Sequence, residues 1–389
     1  MVERASGSGD RADRLVAAVL LSTLVLCLLA GCATGGEATL DPAAIVPLEL
    51  PEGRLTVADA ERRVETPELL AIDEEMRRFV HLYTHGLREE RQRLRALHRS
   101  VKSPGMLDLD YDPGADGSAI EVFRRGSANC LSYANLFVAL AREAGLDADY
   151  QWLEVRPQWS RLGENVAVRL HVNVVVDTRG GDQFMVDIDP LESRDIAGSR
   201  RLKDNEAAAL HHNNLAMQAL GDDRLGDAWA QLVTGLQIGP GMTPLWVNLG
   251  AVYRRAGQHR AAETSYLQAL SLDPRDRSAM TNLMVLYEME GRSEEQARWA
   301  ARVERYRSSN PYYHAWLGEQ AADAEDWAAA SQHLEQALVL APEESHLLYA
   351  AGIAHYRMQD DQTAADYLTR AIESAALVRD QERYRQQLE

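Results

Sequence analysis

The chain has 389 residues, of which 26% are charged, and its formal net charge is −18. This length suits two ordinary globular domains, each with its own core. A protein this acidic lacks the positive charge needed to neutralise phosphates over a broad surface, which argues against nucleic acid as a partner.

Residues 1–31 have the composition of an export signal. Arg4, Arg11 and Arg14 precede an apolar run over residues 15–29. That run is shorter than the roughly 20 residues a membrane-spanning helix needs, so it predicts a signal peptide. An uncleaved anchor helix is the alternative interpretation.

The signal ends in the sequence LAGC, residues 29–32, which resembles a bacterial lipobox. The resemblance implies that Cys32 becomes the lipidated first residue of the mature protein, because several acyl chains together anchor a protein stably. Ala33 follows where lipoproteins retained at the inner membrane typically have Asp. In a host with two membranes we therefore expect a lipid-anchored protein of the cell envelope, at the outer membrane and facing the periplasm.

Cys130 is the one remaining cysteine of the exported chain. The sequence holds three cysteines, of which Cys27 lies within the signal and Cys32 is the predicted lipidation site. No partner is left for an intramolecular disulfide in an oxidising compartment. Cys130 is therefore either a small core side chain or a thiol kept for its reactivity.

A tether and then a folded domain are predicted after the lipidation site. Residues 32–57 are rich in Gly, Pro and small side chains, which indicates a flexible tether. The first domain is expected over residues 58–200. Thr66 as N-cap and Pro67 in the first turn predict a helix that continues to about Tyr83. A second helix, rich in Arg and Glu, is predicted over residues 87–101.

The rest of this domain predicts two helices followed by strands. Residues 106–119 are acidic and turn-rich but lack the spacing of a calcium loop, so they are expected to form a solvated loop. In the central strand, His171 lies on the face opposite Val172. The pattern predicts an α+β domain in which helices pack on an antiparallel sheet. The predicted helices cover residues 119–125 and 130–144, and the predicted strands cover residues 148–155, 168–177 and 183–189.

Three pieces of this domain resemble the transglutaminase-like superfamily of papain-type thiol enzymes. They are Gly126-x-x-x-Cys130 at the start of a helix, His171 in a strand, and Val186-Asp187 in the next strand. The resemblance implies a nucleophile at Cys130, a general base and acid at His171, and Asp187 holding the imidazole, with Asp189 as the alternative acid. It implies thiol-dependent peptide or amide hydrolysis, or acyl transfer.

The second half of the chain is an array of repeats. Asn-Leu pairs at Asn214, Asn248 and Asn282 recur at a spacing of about 34 residues, which is the tetratricopeptide period. Residues 243–276 resemble the full signature of that repeat, with Trp246, Leu249, Gly250, Tyr253, Ala262, Tyr266, Ala269 and Pro274 in its positions. About five units are predicted over residues 205–389, with a polar C-terminal cap, so an all-α solenoid follows the α+β domain.

The repeat resemblance implies a protein or peptide partner on the concave surface. Arg and Tyr side chains suit that role. The implied partner-binding positions are Asn213, Arg254, Arg255, Tyr312, Tyr349 and Arg357. No histidine pair has a metal-ligand spacing, and no cofactor is predicted. Two functions remain open: a membrane-anchored thiol enzyme, such as a cysteine peptidase, an amidase or an acyltransferase, and a noncatalytic envelope scaffold whose first domain is degenerate.

Overall fold

A computed structural model describes residues 45–155, 171–191, 195–375 and 378–388. The predicted signal at residues 1–31, the predicted lipidation site Cys32 and the start of a predicted strand at 168–170 lie outside the described residues. Among the residues described, no helix combines the length and apolar character needed to cross a bilayer.

The described chain opens with a short hairpin that packs on the solenoid. Its strands are β1 (Leu48–Leu50) and β2 (Gly53–Leu55), and helix α1 (Val57–Arg63) follows. Leu48 is fully buried, and the Gln258 side chain donates to the Pro47 carbonyl at 3.0 Å. Burial of the leucine side chain holds this segment in place. Residues 48–55 are thus folded, in contrast to the flexible tether predicted over residues 32–57.

Four more helices follow α1 and precede the main sheet. They are α2 (Glu74–Thr84), α3 (Glu90–Lys102), α4 (Ala119–Arg125) and α5 (Cys130–Glu143). The prediction that the first of them starts at Thr66 is wrong, because α2 begins after Asp73, whose carboxylate accepts from the Met76 N–H at 3.0 Å. The Thr66 hydroxyl instead lies 2.9 Å from His212 Nε2, so a tertiary hydrogen bond replaces the predicted cap.

The main sheet has four antiparallel strands, which are β5 (Asp147–Val155), β6 (His171–Asp177), β7 (Gln183–Val186) and β8 (Ile196–Leu202). Their order across the sheet is β7-β6-β5-β8. A separate two-residue parallel pair joins β3 (Asp110–Tyr111) to β4 (Ser127–Ala128). Helix α5 packs on the sheet and against α2, α3 and α4, and every residue from 131 to 141 is buried. The predicted α+β architecture is confirmed.

Within the described residues, the solenoid consists of five helix pairs and a final helix. Its helices are α6 (Asp204–Gly221), α7 (Leu225–Ile238), α8 (Thr243–Arg255), α9 (His259–Leu272), α10 (Arg277–Met289), α11 (Ser293–Ser308), α12 (Pro311–Asp323), α13 (Trp327–Leu340), α14 (Ser345–Arg357), α15 (Asp361–Ser374) and α16 (Val378–Leu388). Close helix approach requires small residues: a Cβ on Gly250 would lie 2.5 Å from the Tyr266 ring. The helical solenoid predicted from the 34-residue period is confirmed.

Candidate active site

Local structure exposes the Cys130 thiol at the first residue of α5. Gly126 ends α4 in the left-handed region, with φ of 75°, and this turns the chain toward α5. Asn129 caps α5 by accepting from the Ser132 N–H at 2.8 Å. The N–H of Cys130 has no intrahelical acceptor because it lies in the first turn of the helix. The cap thus leaves an N–H donor beside the sulfur.

The structure brings Cys130, His171 and Asp187 together. Cys130 Sγ lies 3.5 Å from His171 Nδ1, and His171 Nε2 lies 2.6 Å from Asp187 Oδ2. His171 is 6% exposed, whereas Cys130 is half-buried and lines a cleft, so the cysteine does not fill the core. The three groups form a chain in which Nδ1 of the imidazole contacts the sulfur and Nε2 contacts the carboxylate.

Asp189, the alternative acid, lies beside the triad but outside it. Asp189 is exposed, and its backbone N–H donates to Asp187 Oδ1 at 3.1 Å. Asp187 therefore contacts the imidazole through one carboxylate oxygen and is held by a backbone donor through the other. Asp189 contributes to the orientation of that acid through its main chain.

The surroundings of His171 favour its protonated form. Burial lowers the pKa of the imidazole, but the hydrogen bonds to Asp187 and Cys130 act in the other direction and prevail, raising the pKa of His171 to about 10. An imidazolium at neutral pH is the form that pairs with a thiolate and that can protonate a leaving group.

Lys102 is a neighbour of the site that the sequence did not reveal. Its Nζ donates to the Ile188 carbonyl, next to Asp187, and lies 5.9 Å from the centre of the Tyr133 ring. Burial lowers the pKa of Lys102, while the charges of Asp187 and Asp189 oppose that effect. Because Lys102 ends α3, 85 positions before Asp187 in the chain, no local motif connects the two.

The thiol opens into a cleft with a volume of about 380 Å³. Tyr111 lies at its edge, and its hydroxyl oxygen accepts from Cys130 Sγ at 4.0 Å. The α+β domain forms one wall, and α6 of the solenoid forms the opposite wall. The lining residues are Tyr111, Pro113, Asn129, Cys130, Leu131, Val172, Leu210, Asn214, Met217 and Gln218.

The predicted partner-binding positions lie in different environments. Asn213 is buried, and its Oδ1 accepts from Asn248 Nδ2 at 2.7 Å, so this residue joins neighbouring units instead of facing a partner. Tyr349 stacks on Tyr384 of the final helix at 4.6 Å. Arg255 and Arg357 are exposed.

The remaining predicted positions are half-buried. Arg254 and Tyr312 retain partial access to solvent, and the Tyr312 hydroxyl donates to Glu344 at 3.2 Å. Among the residues that the structure describes, no group of three or more His, Cys, Asp or Glu side chains is arranged to hold a metal ion.

Two family models match separate parts of the chain. The model of the transglutaminase-like superfamily matches residues 77–182, which include Cys130 and His171, and ends shortly before Asp187. A tetratricopeptide-repeat model matches residues 244–276, the unit with the full signature. No curated protein gives a significant match to this chain.

Two solved structures similar to this chain each cover less than half of it. MamA from Desulfovibrio magneticus RS-1 is 18% identical over 44% of this chain and 96% of its own, with a TM-score of 0.25. YrrB, described as a TPR protein with an unusual peptide-binding site, is 15% identical over 46% of this chain and 92% of its own, with a TM-score of 0.24. From the family models and the architecture described above, the chain carries a transglutaminase-like domain followed by a tetratricopeptide-repeat solenoid.

Proposed function

We propose that this protein is a membrane-anchored thiol enzyme of the bacterial envelope that cleaves or transfers the acyl group of a peptide or amide. The observation that carries the proposal is the contact chain from Cys130 through His171 to Asp187 at the edge of an open cleft. The three residues come from a helix start, a strand and the segment after the next strand. Core packing alone gives no reason for such a sulfur, imidazole and carboxylate to meet beside solvent.

The geometry supports a two-step acyl transfer. Cys130 Sγ attacks the carbonyl carbon and forms a thioester, while the C–N bond breaks and the leaving amine takes the proton from His171 Nδ1. Water or an acceptor amine then attacks the thioester, gives its proton to His171 and releases the thiolate. The Cys130 N–H, at the positive end of α5, is positioned to stabilise the oxyanion of each tetrahedral intermediate.

The solenoid and the lipidation motif complete the proposal. A repeat solenoid supplies an extended surface for a peptide or protein partner, which the exposed arginines Arg255 and Arg357 would contact. Lipidation of Cys32 would hold the enzyme at the outer membrane, facing the periplasm. Membrane fractionation tests this part, because Cys32→Ser is expected to release the protein from the membrane.

Thiol alkylation tests the catalytic part. We expect iodoacetamide to modify Cys130 of the full-length protein at pH 6 at least about tenfold faster than it modifies glutathione, because a free thiol has a pKa of about 8.5 and is almost entirely protonated there. Peptide mapping by mass spectrometry assigns the label to Cys130. His171→Ala should remove the advantage at pH 6.

The competing function is a noncatalytic envelope scaffold in which the repeats carry the function. It predicts that Cys130 alkylates no faster at pH 6 than glutathione. It also predicts that Cys130→Ser cells behave as wild type, whereas disruption of the solenoid causes a loss of function. That combination would reject the catalytic proposal.

A further inference from the structure

One wall of the thiol cleft belongs to the solenoid, not to the α+β domain. Leu210, Asn214, Met217 and Gln218 of α6 line the cleft opposite Cys130. Their spacing of four, three and one residues puts them on a single face of the helix. The first repeat helix therefore faces the reacting thiol as well as its neighbouring repeat.

Hydrogen bonds fix this wall relative to the nucleophile. His211 Nδ1 lies 2.9 Å from Asp116 Oδ1, and both side chains are buried. Gln218 Nε2 donates to the Gly114 carbonyl at 3.1 Å. These contacts bind α6 to the loop that precedes α4.

The same loop also holds the start of α5. The Ala115 carbonyl accepts from the Asn129 N–H at 3.0 Å and from the Ser132 hydroxyl at 2.6 Å. The start of α5 and the α6 wall are therefore both hydrogen-bonded to residues 114–116, so the width of the cleft between them is set by the fold.

The lining of the cleft is uncharged apart from the titratable groups of Cys130 and Tyr111. None of its residues, all of which lie in the described part of the chain, is Asp, Glu, Lys or Arg. Met217 is 41% exposed and offers a flexible apolar surface, while Asn214 offers a carboxamide that can both donate and accept hydrogen bonds. A charged substrate side chain would lose hydration here without gaining an Asp, Glu, Lys or Arg side chain of opposite charge among the lining residues.

We propose that Asn214 and Met217 bind the acyl donor and select an uncharged, apolar peptide segment on the acyl side of the bond that Cys130 attacks. The inference rests on the proposed thiol chemistry and deepens it. Asn214 binds the main chain of the donor, and Met217 packs on its side chain. The solenoid thereby contributes specificity inside the reaction cleft itself.

Two peptide probes of equal length test the selection. Acetyl-Ala-Leu-Ala chloromethyl ketone and acetyl-Ala-Asp-Ala chloromethyl ketone both alkylate a reactive thiol, and iodoacetamide serves as a reference too small to span the cleft. We expect the leucine probe to label Cys130 of the full-length protein at least about tenfold faster than the aspartate probe. Asn214→Ala and Met217→Ala should each slow the leucine probe by about two- to tenfold, the loss expected for one hydrogen bond or a partly buried apolar contact, without changing the iodoacetamide rate.

Matched variants outside the cleft separate binding from folding. Asn205→Ala lies on the same helix, where the Asn205 amide donates to the Ile238 carbonyl at 3.5 Å, and Met358→Ala removes a methionine that is 43% exposed in the fifth unit. Both should label at wild-type rates with every probe, and thermal midpoints verify that all variants fold. Wild-type rates for Asn214→Ala and Met217→Ala with the leucine probe, or a preference for the aspartate probe, overturn the inference while the thiol chemistry stands. A thiol that iodoacetamide modifies no faster than glutathione overturns the proposed function and this inference together.

Discussion

Polar contacts in the α+β domain join residues that are far apart in the sequence, whereas those in the solenoid join residues that are closer together. In the first, the Cys130 and His171 contact spans 41 positions, and the Lys102 bond to the Ile188 carbonyl spans 86. In the solenoid, the Tyr287 hydroxyl donates to Glu263 over only 24 positions, and this span joins neighbouring repeat units. These contacts of the first domain are therefore long-range, whereas that of the solenoid joins neighbouring repeat units.

This difference determines how far the effect of a substitution should travel. A defect in the core under α5 alters the helix that carries the thiol, so stability and reactivity should change together. A defect inside one repeat unit is confined to that unit and its neighbours, since solenoid stability is close to a sum of such terms. Hydrogen exchange of backbone amides, read beside the alkylation rate of Cys130, separates the two cases.

The largest effect is expected for Phe137→Ala. Phe137 is fully buried in α5, and its ring lies parallel to that of Tyr133 at 5.9 Å. The cavity should lower the free energy of unfolding by about 3–5 kcal/mol and speed exchange in α5 and the sheet. Alkylation of Cys130 at pH 6 should slow as well, because the helix start that positions the sulfur loses its support. Leu82→Ala is the control, since Leu82 is 71% exposed on α2 and should change neither quantity.

A smaller and more local effect is expected for Gly250→Ala. The new Cβ would lie 2.5 Å from the Tyr266 ring, so α8 and α9 must move apart at a cost of about 1–3 kcal/mol. Exchange should speed in these two helices, while the alkylation rate of Cys130 stays at the wild-type value.

Gly221→Ala provides the matched comparison for that glycine. A Cβ there meets nothing within 4 Å, and alanine favours the end of α6, so this variant should be neutral or stabilised by up to about 1 kcal/mol. A change in thiol reactivity in Gly250→Ala without one in Gly221→Ala would show that the units transmit strain to the active site, contrary to the comparison above.

The sequence predicts contacts between neighbouring repeat units better than contacts between distant positions. The 34-residue period reflects contacts between neighbouring repeat units, so residues such as Gly250 and Tyr266 predict the helix pairs. The sequence predicts that Cys130, His171 and Asp187 act together only because a family resemblance links these distant positions. Besides Lys102 beside the site, three features lack any local signal: the burial of Leu48 against the solenoid, the bond from Thr66 to His212, and the approach of α6 to the thiol. Each depends on how separate elements pack, which no periodicity encodes.

The smallest effect, and the sharpest test of the long-range contacts, is expected for Asp187→Asn. The carboxylate helps to raise the pKa of His171 to about 10, so its loss should move that pKa down toward 6.5. With less imidazolium opposite the sulfur, alkylation of Cys130 at pH 6 should slow by about two- to tenfold. NMR titration of labelled histidine measures the shift directly, and Asp189→Asn is the control because only the main chain of Asp189 contacts Asp187.

The pairing of His171 with Asp187 makes the stability of the α+β domain depend on pH. Because folding raises the pKa of His171 from 6.5 to about 10, the imidazolium contributes stability that is fully present below about pH 6.5 and is lost as the pH rises through about 10. Exchange in α5 and the sheet of the wild type should therefore rise across this window beyond the intrinsic increase with pH, and Asp187→Asn should flatten the excess. An equal excess in both proteins would mean that another group causes it. The pairing of His171 with Asp187 would then not contribute to the stability of the domain.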